Sequence, residues 1–331
     1  MDSTKNTYLV SVVIPAYNAE EYIWRTIESV LKQSRGADEI IVVDDGSTDC
    51  TGAAVKRFGE KIRYIRQENA GASVARNTGI EAAEHEWIAF LDADDEWLEN
   101  KLQVQMSLLE RDSDLMWCGG NYYNYLASSG RKAVRVPVEK ARQTMGGKDY
   151  WDDYFNAFSR GIWGCTDTLV IKRDALKKAG MFTAGQQRAN DLDMWFRVAN
   201  FYPKFGYVCQ PLAVYHLEVA ESISQKQGFV KWQEEFLSRH LEIAKEHGRL
   251  EAFEPCVAKM LRLWMRGMLF NGRKKEIRNL LSRFGYVLPG YYRLSIRALT
   301  TFPGVTRAGC RMISKVVRKF NLRRQVVRKP R

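Results

Sequence analysis

The strongest constraint on this chain is a rhythm in its N-terminal part. Residues 8–16 (YLVSVVIPA), Glu39–Val43, Ile62–Ile65 and Trp87–Leu91 are short apolar runs, and a helix-spaced segment separates each from the next. Glu20–Ser34 carries Ile23, Ile27, Val30 and Leu31 on one helical face, and Thr51–Phe58 and GASVARNTGIEAA (71–83) supply two more helices. Such alternation predicts βαβ units and a mainly parallel sheet. In sheets of that kind, ligands bind beyond the carboxyl ends of the strands. The acids gather there: Asp44 and Asp45 follow the second run, and Asp92, Asp94 and Asp95 follow the fourth.

The second group needs a cause. In FLDADDEW (90–97) a buried-type strand leads into three aspartates within four positions. Like carboxylates repel, and each pKa unit of strain costs about 1.4 kcal/mol. One of them, Asp95, suits the N-cap of a helix expected over Glu96–Arg111. The other two exceed what a cap requires. Paired carboxylates together with substrate phosphates are how Mg²⁺ or Mn²⁺ is usually held in phosphate chemistry.

Downstream the pattern predicts a strand near Leu115–Cys118, a β-rich excursion over 121–138 around an SSG turn, and a short helix over 149–158. Thr168–Gly180 reads as strand then helix, and Ala189–Ala199 as helix. Beyond Ser222 long helical stretches follow (229–248, 253–270, 274–284). The expected division is an α/β domain over 1–222 and a helical basic region over 223–331. The six cysteines show no metal-ligand spacing and suggest buried free thiols in a reducing compartment. MDSTKNTYLV lacks the basic and apolar regions of a signal peptide, and no run reaches the roughly 20 apolar residues of a membrane span.

Six segments together carry a resemblance. SVVIPAYNAEEYIWRTIESVLKQS, EIIVVDDGSTD, ENAGASVARNTGI, WIAFLDADDEW, TLVIKRDALKKAGMF and NDLDMWFRVA resemble, in order and spacing, the motifs of family 2 glycosyltransferases over roughly residues 8–217. The resemblance implies an α/β GT-A fold, Rossmann-like, with a mainly parallel central sheet flanked by helices. It also implies a metal-dependent, inverting hexosyl or N-acetylhexosaminyl transfer. The donor would be a nucleotide-diphosphate sugar, with UDP as the family's tendency. The acceptor would be a hydroxyl of a glycan or lipid-linked sugar in polysaccharide biosynthesis.

By the same resemblance Pro15, Ala16 and Tyr17 would line the nucleotide pocket, with Tyr17 against the base. A packed core aromatic is the plain alternative for Tyr17. Asp45 would accept from the base's ring N–H with Asp44 beside it, unless both only hold an Asx-turn. Arg76 would reach the nucleotide or its phosphates. Asp92, with Ala93 beside it, would contact the ribose. Asp94, and His216 in VYHLE, would bind the divalent metal, Mn²⁺ or Mg²⁺. The family usually opens the EDxDLWLR helix with Glu-Asp; here Asn190 replaces the glutamate and Asp191 keeps the position of the catalytic base. Asp193 is the other candidate, or a residue that orients the helix start. Trp163 and Gly164 resemble acceptor-side loop residues. A nucleotidyltransferase and a non-catalytic nucleotide-sugar binder stay open beside the transferase.

The net charge of +12 hides an asymmetry. From Pro255 onward the chain has 20 Lys and Arg against one acid, Glu276, while the rest has 31 basic and 38 acidic residues. Basic residues interleaved with Trp264, Phe270, Tyr291, Tyr292, Phe302 and Phe320 suit docking on an anionic membrane surface, at about 1 kcal/mol per basic residue. No nucleic-acid-binding motif accompanies them, so nucleic acid is not an expected partner. The expected location is cytoplasmic, peripheral on the inner face of the cell membrane.

Overall fold

A computed structural model describes residues 8–186, 188–217 and 232–301. Its first part follows the rhythm closely: β1 (Val10–Ala16), α1 (Ile23–Leu31), β2 (Glu39–Asp44), α2 (Thr51–Lys56), β3 (Arg63–Arg66), α3 (Ala72–Ala82) and β4 (Trp87–Phe90). β3, β2, β1 and β4 lie side by side, all parallel. Successive β1 residues face opposite layers, Val12 and Ile14 toward one core and Val13 toward the other.

The chain then departs from expectation. Glu96–Trp97 is a two-residue strand, β5, and the helix α4 begins only at Lys101 (Lys101–Arg111). The reason is tertiary. The Trp97 indole N–H donates to the Asp167 carbonyl at 2.7 Å and its amide to Ser29 Oγ at 3.0 Å, which holds the segment extended. Asp95 therefore caps no helix and is fully buried. The strand expected over Leu115–Cys118 is instead β6 (Trp117–Leu126), and β7 (Arg131–Val134) turns back onto it. That hairpin is the β-rich excursion around SSG.

Next come α5 (Val138–Met145), β8 (Tyr150–Trp151), α6 (Tyr154–Arg160), β9 (Val170–Lys172), α7 (Arg173–Lys178), α8 (Asn190–Phe201) and β10 (Phe205–His216). β9 inserts antiparallel between β4 and β6, β10 runs parallel to β6, and β5 and β8 join β10 antiparallel. The sheet is parallel through β4 and mixed beyond it. A three-residue strand such as VIK carries too little pattern to announce its direction.

Four further helices close one face: α9 (Trp232–Glu246), α10 (Leu250–Phe270), α11 (Lys274–Phe284) and α12 (Gly290–Thr301). α10 lies on α6: the Phe155 and Phe253 rings are 5.0 Å apart, Cys256 Sγ donates to the Phe155 carbonyl, and Arg249 pairs with Asp153 at 2.8 Å. Phe155, Phe196, Phe253 and Leu261 are fully buried in one continuous core, each contributing roughly 1.5–3 kcal/mol. The expected boundary at 222/223 lies outside the described residues, but the elements on either side of it share that core. Cys118 and Cys256 are buried as expected, while Cys50 is exposed. Among the described residues no helix is long and apolar enough to cross a membrane.

Candidate functional site

The carboxyl ends of β1 and β2 are tied together by their loops. Pro15 and Ala16 are buried, and Tyr17 just beyond them is 50% exposed, so it forms a surface rather than a core contact. Asn18, at φ 46°, accepts the Thr48 N–H and donates its own N–H to Ser47 Oγ. Asp44 accepts the Ser47 N–H at 2.8 Å, an Asx-turn, and also the Tyr64 hydroxyl. Burial, then that carboxylate, pushes the Tyr64 phenol up to about 12. Asp45 accepts from Gln67 Nε2 and from the Ala70 and Gly71 amides at the start of α3, where helix-end N–H groups favour an anion. Gly46 sits at φ 75° with Asn69 N 2.8 Å from where a Cβ would stand, so no side chain fits between these loops.

α3 carries Arg76 under the β4 end. It is 5% exposed, donates to Asp92 Oδ1 at 2.5 Å and lies 5.4 Å from the Phe182 ring. Burial works against its charge, but Asp92, Asp191 and Asp167 outweigh it and hold the guanidinium firmly protonated. Its Nε and Nη1 hydrogens have no acceptor among the described residues. A buried cation with unsatisfied N–H groups is costly until an acceptor arrives.

Asp92, Asp95 and Asp167 each present an oxygen within 4.8 Å of the others. The Asp92 N–H donates to Asp167 Oδ1 and the His216 N–H to Asp95 Oδ1, while Oδ2 of Asp95 and of Asp167 is buried and accepts from no fixed donor among the described residues. Burial first, then repulsion from neighbouring aspartates, raises both carboxyls well above the usual range. Asp94 is pushed up to about 6, by burial and then by Asp92. Three crowded oxygen donors with two orphaned lone-pair atoms fit a hard divalent cation. Of the residues expected at such a site, Asp92 joins this trio, while Asp94 and His216 stand beside it. His216 Nε2 is 3.0 Å from Glu96 Oε1. Ala93 is buried, its carbonyl held by the Thr26 hydroxyl at 2.8 Å.

Asp167 was not anticipated. It lies in a short 3-10 turn before β9, and its sequence signal is faint: an acid between two threonines directly ahead of an apolar run.

α8 begins at Asn190, after Ala189 at φ 50°. Asn190 Nδ2 donates to Ser73 Oγ of α3 at 3.3 Å. Asp191 accepts the Leu192 N–H at 2.7 Å; burial raises its carboxyl, while the Arg76 charge partly opposes the rise. Asp191, Arg76 and Asp92 therefore meet at one place. Asp193, two residues further along α8, is fully buried and saturated: it accepts from Thr183 Oγ1, Arg197, Arg239 Nη2 (2.5 Å) and His240 Nε2 (3.0 Å). Burial pushes its carboxyl up, but His240 and Arg197 outweigh burial and hold it far below the ordinary carboxylate range. A carboxylate so partnered is a weak proton acceptor, and Arg239 and His240, which bind it from α9, are residues that no motif pointed to.

The sheet and its helices define a GT-A-type fold. The chain belongs to glycosyl transferase family 2, whose sequence profile matches residues 11–178. It is 37% identical over 171 residues to the putative teichuronic acid biosynthesis glycosyltransferase TuaG of Bacillus subtilis, covering 50% of this chain and 63% of that protein. It is 44% identical over 117 residues to an Escherichia coli protein, the UDP-Glc:alpha-D-GlcNAc-diphosphoundecaprenol beta-1,3-glucosyltransferase WfgD, covering 35% of this chain and 46% of that one. The chain thus matches less than two thirds of the length of either. Among solved structures, S. aureus TarS 1-349 in complex with UDP-GlcNAc superposes with a TM-score of 0.69 at 18% identity, over 91% of this chain and 87% of that one. At that identity the likeness is one of fold.

Proposed function

We propose that this protein is an inverting glycosyltransferase that moves a hexose or N-acetylhexosamine from a UDP-sugar to a hydroxyl of a lipid-linked or glycan acceptor in cell-surface polysaccharide assembly. The observation that carries the reading is the meeting of Arg76, with two nitrogens unpartnered among the described residues, Asp191 and the Asp92–Asp95–Asp167 trio at the carboxyl ends of the strands. The names of WfgD and TuaG, and the UDP-GlcNAc in TarS, support the donor and product classes.

In this reading Tyr17 packs on the base, Pro15 and Ala16 floor its pocket, and Asp44 and Asp45 hold the loops around it. Asp45 Oδ2 accepts one N–H from the protein and keeps a lone pair for the base. Asp92 faces the ribose. The acceptor oxygen attacks the anomeric carbon as Asp191 takes its proton, and the bond to the diphosphate oxygen breaks with its electron pair on the leaving group. One displacement inverts the anomeric centre. The raised Asp191 carboxyl is a stronger base than an ordinary aspartate, and the free N–H groups of Arg76 meet the departing diphosphate. A divalent cation, Mn²⁺ or Mg²⁺, would be held by carboxylates among Asp92, Asp94, Asp95 and Asp167 with His216 beside them, and would supply further neutralisation of that charge.

Catalysis is assigned to 1–222 and attachment to 223–331. Residues 302–331, the most basic stretch, lie outside the described residues; α10 and α12 expose Leu263, Phe270, Tyr291 and Leu294 among Arg262, Arg266 and Arg297. That mixture suits an anionic leaflet on the inner membrane face. Deleting 303–331 should move the protein into the soluble fraction without affecting UDP binding.

The deciding experiment is thermal stabilisation by UDP, GDP, dTDP and CMP, with and without Mn²⁺, on wild type and Asp94→Ala. A Mn²⁺-dependent shift with UDP that the variant loses supports the reading; no shift with any nucleotide sinks it. Release of pyrophosphate in place of UDP during turnover would favour a nucleotidyltransferase.

A further inference from the structure

The helix α1 buries two kinds of residue. Ile23, Ile27 and Val30 are apolar and packed in the core, while Thr26, Ser29 and Gln33, at helical spacing, are polar and nearly as inaccessible. Burying hydroxyl and carboxamide groups is costly unless each finds a partner, and packing alone would be served by alanine, valine and leucine. Beyond α1 itself, their partners all lie in one segment. Gln33 donates to the Leu98 carbonyl at 2.8 Å and accepts the Leu102 N–H at 3.0 Å. Ser29 Oγ accepts the Trp97 N–H at 3.0 Å, and Arg25 Nη2 beside them donates to the Asp94 carbonyl at 2.9 Å. A row of α1 side chains thus does for this backbone what a neighbouring strand does elsewhere in the sheet.

Thr26 meets that segment at the acids. It is fully buried, and its Oγ1 lies 2.8 Å from the Ala93 carbonyl oxygen and 2.8 Å from that of Asp95. A threonine inside a helix ordinarily gives its proton to the carbonyl one turn back; here that carbonyl, of Tyr22, is 3.5 Å away. The hydroxyl is turned instead to the acid segment, as a three-centre donor to two carbonyls. In an extended strand, carbonyls two residues apart stand too far apart to share one donor at such distances. These two can because the Asp95 N–H closes a turn on the Asp92 carbonyl at 3.1 Å. Asp92 and Asp95 are the first and last residues of that turn, and their carboxylates lie within 4.8 Å of each other and of Asp167. Repulsion among the three works to open it.

We propose that Thr26 and, next along the row, Ser29 are positioning residues for the cation site: they hold the Asp92–Asp95 turn closed against the repulsion of its acids, so the cluster is shaped before a cation arrives. The role deepens the transferase reading and rests on its divalent cation. Thr26 contributes no ligand and acts through the carbonyls of Ala93 and Asp95. Ligands held in place beforehand bind more tightly, because less ordering remains to be done on binding.

The test compares Thr26→Val, which keeps the shape and loses the hydroxyl, with Thr26→Ser, which keeps the hydroxyl and loses a methyl group. Mn²⁺ uptake in the presence of UDP is read from the fall of the free-ion paramagnetic resonance signal, against a blank of UDP alone. Both variants should melt a few degrees below wild type. Thr26→Val should bind Mn²⁺ about tenfold more weakly, or ~1.4 kcal/mol, and Thr26→Ser as wild type does. Amide exchange over 92–98 in the metal-free protein, read by peptide mass spectrometry, should quicken in Thr26→Val alone. A role in packing only makes affinity indifferent to the hydroxyl, so an unchanged affinity in Thr26→Val, or an equal loss in both variants, overturns the proposal. If Thr26→Val does not fold, Ser29→Ala takes its place: several-fold weaker Mn²⁺ binding supports the role of the row, and unchanged binding overturns it. A wild type that takes up no Mn²⁺ strikes the cation from the transferase reading, and this role with it.

Discussion

Two aspartates of this protein are equally buried and behave in opposite ways. Asp193 and Asp95 are both inaccessible to solvent. Around Asp193 the chain has placed Arg197, Arg239, His240 and Thr183, and the carboxyl is held far below its usual range. Around Asp95 it has placed more acids, so that an oxygen of Asp95 and one of Asp167 lack a donor among the described residues and both carboxyls are raised. Burial penalises either charge; the partners decide the outcome. The Asp193 carboxylate is fully partnered as folded, although His240 Nδ1 beside it has no partner among the described residues, and the Asp92–Asp95–Asp167 cluster is stressed in a way that an arriving cation relieves.

Removing the finished cluster should have the largest effect. Asp193→Ala leaves two arginines and a buried histidine uncompensated and should cost about 3–5 kcal/mol in urea unfolding. A loss below 1 kcal/mol would mean that the cluster is incidental. Asp191→Asn, two residues away on the same helix, should leave stability and UDP binding near wild type. It should lower kcat at least about 100-fold, some 3 kcal/mol of barrier. If Asp191→Asn instead unfolds the protein, the contrast between the two positions fails.

The stressed side reverses the sign. The folded-state pKa of Asp94, about 6, lies above its ordinary value of 3.8. The unfolded chain therefore loses that proton first, and metal-free stability falls as pH rises from about 4 to about 6, then levels. Asp94→Asn should flatten that window and stabilise the metal-free protein at pH 7 by roughly 1–3 kcal/mol, while abolishing Mn²⁺-dependent stabilisation by UDP. Melting curves at several pH values, with EDTA and with Mn²⁺, read both effects. Asp193 predicts the opposite limb, with stability lost only as pH drops below the usual aspartate range. Arg239→Gln should be the mildest change. Its partner Asp193 keeps Arg197 and His240, so about 1 kcal/mol of stability is at stake, with a drop in kcat larger than any change in donor KM if α9 positions Asp191. Equal changes in both would reduce Arg239 to a packing residue.

Much of this was written locally. β1 to β4 were legible because continuous apolar runs and helix-spaced segments report their own period, and the acids at their ends fall where such sheets bind ligands. Arg76 pairs with Asp92, and Asp191 lies close enough to act on the same guanidinium. Asp167 escaped because one acid between threonines looks like any turn. Arg239 and His240 escaped because their helix lies beyond the residues matched to the family, and only packing brings it against Asp193. Asp95 was misread as a cap because N-cap statistics are local, whereas β5 is held by Ser29, Asp167 and β10.

The sequence by itself determined the parallel half of the sheet, the family, and the residues that its motifs carry, since each depends on neighbours along the chain. Tertiary structure alone decided which carboxylates are neutralised by arginines and which are left to crowd one another. A carboxylate's free energy depends on charges within a few ångströms, and residues far apart in sequence supplied them.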